Sequence, residues 1–194
     1  MTDTPNPILG ERFIKALELT VNTHATQARK STEIPYLGHL LAVCSLVIED
    51  GGTEDEAVAA LLHDAVEDGG GAPVLERIRE EFGDNVANIV DACSDTDQVP
   101  KPPWLERKES YLAHLETADA QTLRVSCADK LHNAGSIVRD HGMVGSQIWS
   151  RFSAPREQTI WYYASLAAIF NRRMPGSALS RGLLLMTNQL DRLE

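Results

Sequence analysis

Apolar residues in this chain recur at steps of three and four, and no run of strictly alternating β-branched residues is long enough to build a sheet. That spacing gathers the side chains to be buried on helical stripes, so a core can form only by packing helix on helix. Phe13, Leu17, Val21, His24 and Ala28 mark a first helix over 11–28, and Leu40, Val43, Leu46 and Val47 a second over 38–49 that stops at "DGG". "TEDE" is a capping box in which Thr53 and Glu56 each satisfy an orphan amide and open a third helix. Pro73 suits the first turn of a helix reaching Phe82, and Asp84 can cap another carrying Val86, Ile89 and Val90. The prolines of "SDTDQVPKPP" feed a helix over 104–115. A long helix follows over 122–139, and two more, over 155–170 and 177–193, close the bundle. The expected fold class is all-α, a compact multi-helix bundle forming a single domain over 1–194, its core over 11–170 and a C-terminal helix over 177–193.

Charge narrows the partners. With 28 acidic against 18 basic residues and a net charge of -10, the chain lacks the clustered cations that hold nucleic acid. A small anionic ligand would need local positive charge or a metal. Cys44, Cys93 and Cys127 are an odd, widely spaced set without a C-x-x-C pattern, which argues against a disulfide framework or zinc ribbon and fits a reducing cytoplasm. The start "MTDTPNPILG" has no signal-peptide pattern, and no stretch approaches the ~18 apolar residues of a membrane span, so neither export nor membrane insertion is expected. Leu166, Ile169, Leu183, Leu185 and Leu190 either bury within the monomer or join copies into a homo-oligomer.

Chemistry concentrates in "LLHDAVEDGGG". On a continuous helix His63 would stack with Glu67, and Asp64 with Asp68, in two adjacent polar columns. Three crowded carboxylates repel one another and lose hydration unless a cation compensates, and a divalent metal is the natural compensator. His39 and Asp129, the latter in "CADKLHN", are the candidates for completing a ligand set from neighbouring helices. Two imidazoles with two carboxylates suit Mn²⁺, Fe²⁺ or Mg²⁺ better than a thiolate zinc site. Asp129 and Asn133 share a helical face and can look into one pocket, while Lys130 points elsewhere. Gly69 to Gly71 lack the Lys-Ser/Thr of a phosphate-binding P-loop and read as a helix exit.

The order H, HD, then a distant D in "ADKLHN" resembles the HD-domain metal-dependent phosphohydrolases. More narrowly, "HATQARK" with "PYLGH", "AALLHDAVED", "FGDNVANIVDACSD", "ERK" and "ADKLHN" resemble the hydrolase domain of the RelA/SpoT family and its small stand-alone alarmone hydrolases, over about 24–170. The resemblance implies His39, His63, Asp64 and Asp129 as ligands of a divalent metal, Mn²⁺ foremost. It implies Glu67 and Asp68 as the catalytic acidic pair, and Arg29, Lys30 and Asn133 as contacts to a nucleotide substrate. Lys101, Arg107 and Lys108 are further candidates for offsetting phosphate charge. The implied reaction releases pyrophosphate from the 3′ position of guanosine 3′,5′-bis(diphosphate), and with no synthetase segment following, the expected activity is degradative. "EDGGGAP" and "CSDTD" stand where the family carries threonines and a "TK" element, and "YLGHL" lacks its proline after the histidine. Two alternatives therefore stand beside this reading: an HD phosphohydrolase acting on a different nucleotide, and a non-catalytic nucleotide-sensing module.

Overall fold

The computed structural model describes residues 9–94 and 100–194; the segment 95–99 of the proline-containing loop and the first eight residues lie outside the described residues. Ten α-helices and one 3₁₀ helix occur among the described residues: α1 (Glu11–Thr23), α2 (Leu37–Glu49), α3 (Glu54–Leu62), α4 (Ala65–Gly69), α5 (Ala72–Phe82), α6 (Asp84–Cys93), α7 (Trp104–Leu115), α8 (Ala120–Val144), the 3₁₀ helix (Gly145–Arg151), α9 (Arg156–Arg173) and α10 (Ala178–Leu190). The only extended pairing among them is an isolated bridge between Ala28 and Pro35. The all-α class holds.

α3 is the central element. Its residues Glu56 to Leu62 are all buried, and it packs against α1, α2, α6 and α8. A short helix apolar on every side must sit inside the bundle, and the three alanines at 57, 59 and 60 let its neighbours approach closely. Its start is fixed as the sequence indicates: the Thr53 hydroxyl accepts from the Glu56 amide, while the Glu56 carboxylate accepts from the Thr53 amide. Buried Glu56 is also paired with Arg124 of α8, which reaches Asp50 as well. α10 lies on α8 and α9 with Leu179, Leu183 and Leu190 buried, and Leu166 and Ile169 of α9 are buried too, whereas Leu185 is left exposed.

Three local expectations are corrected, and one element is new. α1 ends at Thr23, not at 28, because the chain reverses tightly: Arg29 donates to Ile34 O at 2.8 Å, Tyr36 donates to Gln27 O at 2.9 Å, and Ser31 turns at φ 59. Gly83, at φ 91, precedes α6, so Asp84 is the first helical residue and its side chain makes no cap bond. α8 runs further at both ends than 122–139; the Asp119 carboxylate accepts from the Thr122 amide at 2.7 Å and starts it at Ala120. The 3₁₀ helix after it was unanticipated. Gly145, at φ 62, ends α8 and turns the chain into it, and buried Ile148 anchors it against the core.

Candidate metal and nucleotide site

The third helix does not continue through the HD pair. α3 stops at Leu62, His63 and Asp64 form a turn, and α4 begins at Ala65, so the expected stacking of His63 on Glu67 is broken. The Asp64 carbonyl still accepts from the Asp68 amide at 3.0 Å. The break has a use: it swings His63 and Asp64 together toward α2 and α8 instead of spreading them around a helix.

There they meet His39 and Asp129. One ligand atom from each of His39, His63 and Asp129 lies within 4.8 Å of the others, and all three residues are buried. Asp64 flanks the group: its Oδ2 is 3.1 Å from His63 Nε2 and 3.6 Å from His39 Nε2. Asp129 Oδ1 stands 3.3 Å from His39 Nε2 and 3.7 Å from His63 Nε2. Neither Nε2 atom has an aligned hydrogen bond.

Bonds around the cluster fix the ring orientations. His63 Nδ1 donates to Ala60 O at 2.8 Å, which in the neutral imidazole leaves the Nε2 lone pair facing the carboxylates. His39 Nδ1 lies 2.7 Å from His132 Nδ1. Lone pairs and carboxylate oxygens directed at one small volume repel unless a positive charge joins them. Burial alone would push the His63 imidazole down, yet Asp64 and Asp129 hold it well above its usual value. Burial likewise works to raise both carboxyls, but His63 together with His39 draws Asp64 far down, and Lys130 with the two histidines draws Asp129 well below the usual range. The mixed N/O donors, orphaned imidazole nitrogens and demand for positive charge fit a divalent cation.

Asp129 is held on both oxygens. Asn133 donates to Oδ1 at 2.5 Å and Lys130 to Oδ2 at 2.6 Å. Lys130, expected to point away from the site, therefore bonds a site carboxylate from its far side, its ammonium resting 5.0 Å over the Tyr111 ring. Arg29 donates to Asn133 Oδ1 at 2.8 Å and stacks over Tyr36, whose hydroxyl donates to Asp64 Oδ2 at 2.6 Å. Glu67 and Asp68 lie on α4, three and four residues after Asp64. Glu67 pairs with Lys101 at 3.6 Å, and Asp68 accepts from Gln27 Nε2 at 2.8 Å. Arg107 Nε donates to Pro102 O, and the Lys108 ammonium lies over the Tyr162 ring, where burial and nearby Lys130 push it down to about 7.

The sequence assigns Tyr36, Gln27 and His132 no role, and it places His24 only on the apolar stripe of the first helix. Tyr36 lies within the quoted "PYLGH" and His132 within "ADKLHN", but only the fold shows that they touch ligand side chains. A cavity of about 540 Å³ opens beside the two histidines at 39 and 132, lined by Arg29, Lys30, Asn133, Arg139 and Arg151 among others. The predicted substrate contacts Arg29, Lys30 and Asn133 thus share one cavity next to the cluster.

This bundle with its histidine and aspartate cluster belongs to the HD domain family, whose sequence profile matches residues 16–160. Within that family the chain is 36% identical over 130 residues to the guanosine-3′,5′-bis(diphosphate) 3′-pyrophosphohydrolase MESH1 of Xenopus tropicalis, spanning 66% of this chain and 70% of that one. It is 32% identical over 156 residues to MESH1 of Danio rerio, spanning 79% and 80% respectively. The solved structure of a metazoan ortholog of SpoT, described as hydrolysing ppGpp, has the same fold: the TM-score is 0.75 at 22% identity, covering 93% of this chain and 96% of that one. No helix among the described residues is long and apolar enough to cross a membrane.

Proposed function

We propose that the chain is a metal-dependent 3′-pyrophosphohydrolase of guanosine 3′,5′-bis(diphosphate), with Mn²⁺ as its ion. The observation that carries this reading is the pair of unpartnered imidazole nitrogens facing two aspartates at the mouth of a cation-lined cavity. The matching activity of the MESH1 relatives supports the choice of substrate.

His39, His63, Asp64 and Asp129 would hold the ion. When bound, a divalent cation makes water acidic near neutral pH and withdraws charge from a phosphoryl oxygen. The chain's own residues do the rest. Water adds across the bond between the ribose 3′-oxygen and phosphorus: hydroxyl goes to phosphorus, the 3′-oxygen takes a proton, and pyrophosphate leaves. Glu67, one turn after Asp64, accepts the proton of the attacking water, and Asp68, held by Gln27, orients that water. Arg29 and Lys30 offset phosphate charge, with Arg29 steadied by Asn133.

Metal analysis of protein purified without chelator, paired with product identification, tests the reading. With added Mn²⁺ the expected products from guanosine 3′,5′-bis(diphosphate) are GDP and pyrophosphate. Faster release of orthophosphate from another nucleotide would move the assignment to a different HD phosphohydrolase. Tight binding without turnover by metal-loaded protein would make the chain a sensing module.

A further inference from the structure

The cavity continues along α8 beyond the cluster, and its far end carries its own cations. α8 forms one wall, with His132, Asn133, Ser136 and Asp140 following one another along the face that begins at Asp129. Ten residues separate Asp129 from Arg139, which at helical rise is about 15 Å. At that far end Arg139 donates to Ser136 Oγ at 3.0 Å, and Arg151 pairs with Asp140 at 3.0 Å. Arg151 is delivered by the 3₁₀ helix, which Gly145 and Ile148 fold back onto α8. Apolar side chains line the same cavity, including Ile34, which is 58% exposed, and Phe152.

In a chain of net charge -10, four of the residues lining this one cavity are Arg or Lys and one, Asp140, is acidic. Asp140 offsets one far-end guanidinium, and Arg139 stays solvent-accessible with a neutral hydroxyl as its bonded neighbour. A cavity with cations beside the cluster and again at Arg139 and Arg151, and with apolar side chains in its lining, matches a nucleotide phosphorylated at both ends of its sugar.

Resting on the function proposed above, we propose that Arg139 and Arg151 form a second anion subsite that binds the 5′-phosphates, so that the site selects nucleotides bearing phosphate at both the 3′ and the 5′ position. Arg139 is the principal contact, and Arg151 shares its charge between Asp140 and the incoming phosphate.

The test compares kcat/KM for guanosine 3′,5′-bis(diphosphate) with that for guanosine 3′-diphosphate carrying a free 5′-hydroxyl, on wild-type protein and Arg139→Gln. The wild type should prefer the doubly phosphorylated nucleotide, and Arg139→Gln should shrink the ratio at least about tenfold, the size of one lost charge-assisted hydrogen bond. Adding Arg151→Gln should shrink it further. A ratio left unchanged, or a wild type with no preference, overturns the subsite. If neither nucleotide is hydrolysed, the hydrolase reading has failed, and the same ratio taken from dissociation constants by calorimetry decides the subsite separately.

Discussion

Gln27 Nε2 donates to Asp68 Oδ2 at 2.8 Å across 41 residues of sequence, and Gln27 Oε1 lies 2.6 Å from His24 Nδ1. Since a carboxylate can only accept, the amide must present its nitrogen to Asp68, which leaves its oxygen to accept from the His24 ring. The buried His24 thereby sets the amide, and the amide aims the carboxylate. Gln27→Leu should lower kcat about tenfold, with a smaller effect on KM, because a hydrogen bond to a charged group of about 1.5 to 3 kcal/mol is lost from an orienting contact. Steady-state kinetics checks this, and a fall in KM affinity alone would place Gln27 in substrate binding instead.

The metal assignment separates two kinds of variant. His63→Ala and Asp64→Ala should lose both bound metal and hydrolysis while circular dichroism stays helical, since His63 and Asp64 lie in the turn between α3 and α4. Glu67→Gln should abolish turnover yet retain the ion. Elemental analysis beside the product assay distinguishes them, and loss of metal from Glu67→Gln would make that residue a ligand.

Glu56 is 1% exposed and depends on Arg124 for charge compensation. Arg124→Ala should destabilise the fold by about 3 kcal/mol, at the lower end for a broken buried pair because the arginine is partly solvated. Thermal and denaturant melts measure it. Adding Glu56→Gln to Arg124→Ala should recover much of the loss, as the uncompensated charge is removed.

Cys44 is 2% exposed, and burial pushes its thiol up to about 12. Below about pH 9 both folded and unfolded chains keep that proton. Between about 9 and 12 the unfolded chain releases it while the folded chain does not, so stability falls as pH rises. Relative to wild type, Cys44→Ala should flatten the decline by about 1.4 kcal/mol at pH 10, one pH unit above the ordinary thiol value of 9.0. Denaturant midpoints at pH 8 and 10 supply the comparison. Native protein should also leave buried Cys44 and Cys127 unalkylated at pH 8, with both reacting in denaturant.

Much of the bundle was legible locally. The α7 bounds, Trp104 to Leu115, follow from a proline stop and a three-and-four apolar rhythm, and the start of α3 follows from its capping box, because both signals act within four residues. Where the chain departs from periodicity, local reading ran on. It carried α1 past Thr23 into a turn held by backbone bonds to residues 34 and 36, and it carried α3 through the HD pair.

The same division holds at the site. His39, His63, Asp64 and Asp129 could be named as candidate ligands from residue type and order, and spacing put Asn133 on the face of Asp129, since donor chemistry and helical pitch belong to the sequence. Which atoms face one another did not belong to it. The Tyr36 bond to Asp64, the Gln27 bond to Asp68, the grip of Lys130 on Asp129 and the return of Arg151 to Asp140 all join residues whose partnership depends on side-chain direction or on how helices pack. Sequence alone determined where most of the helices lie and the inventory of charged and ligating groups, because propensity, capping and periodicity are short-range. Only the tertiary structure decided the cluster's geometry and the reach of its cavity, because those arise where α2, α8 and the α3–α4 turn are pressed together by a core that no single segment contains.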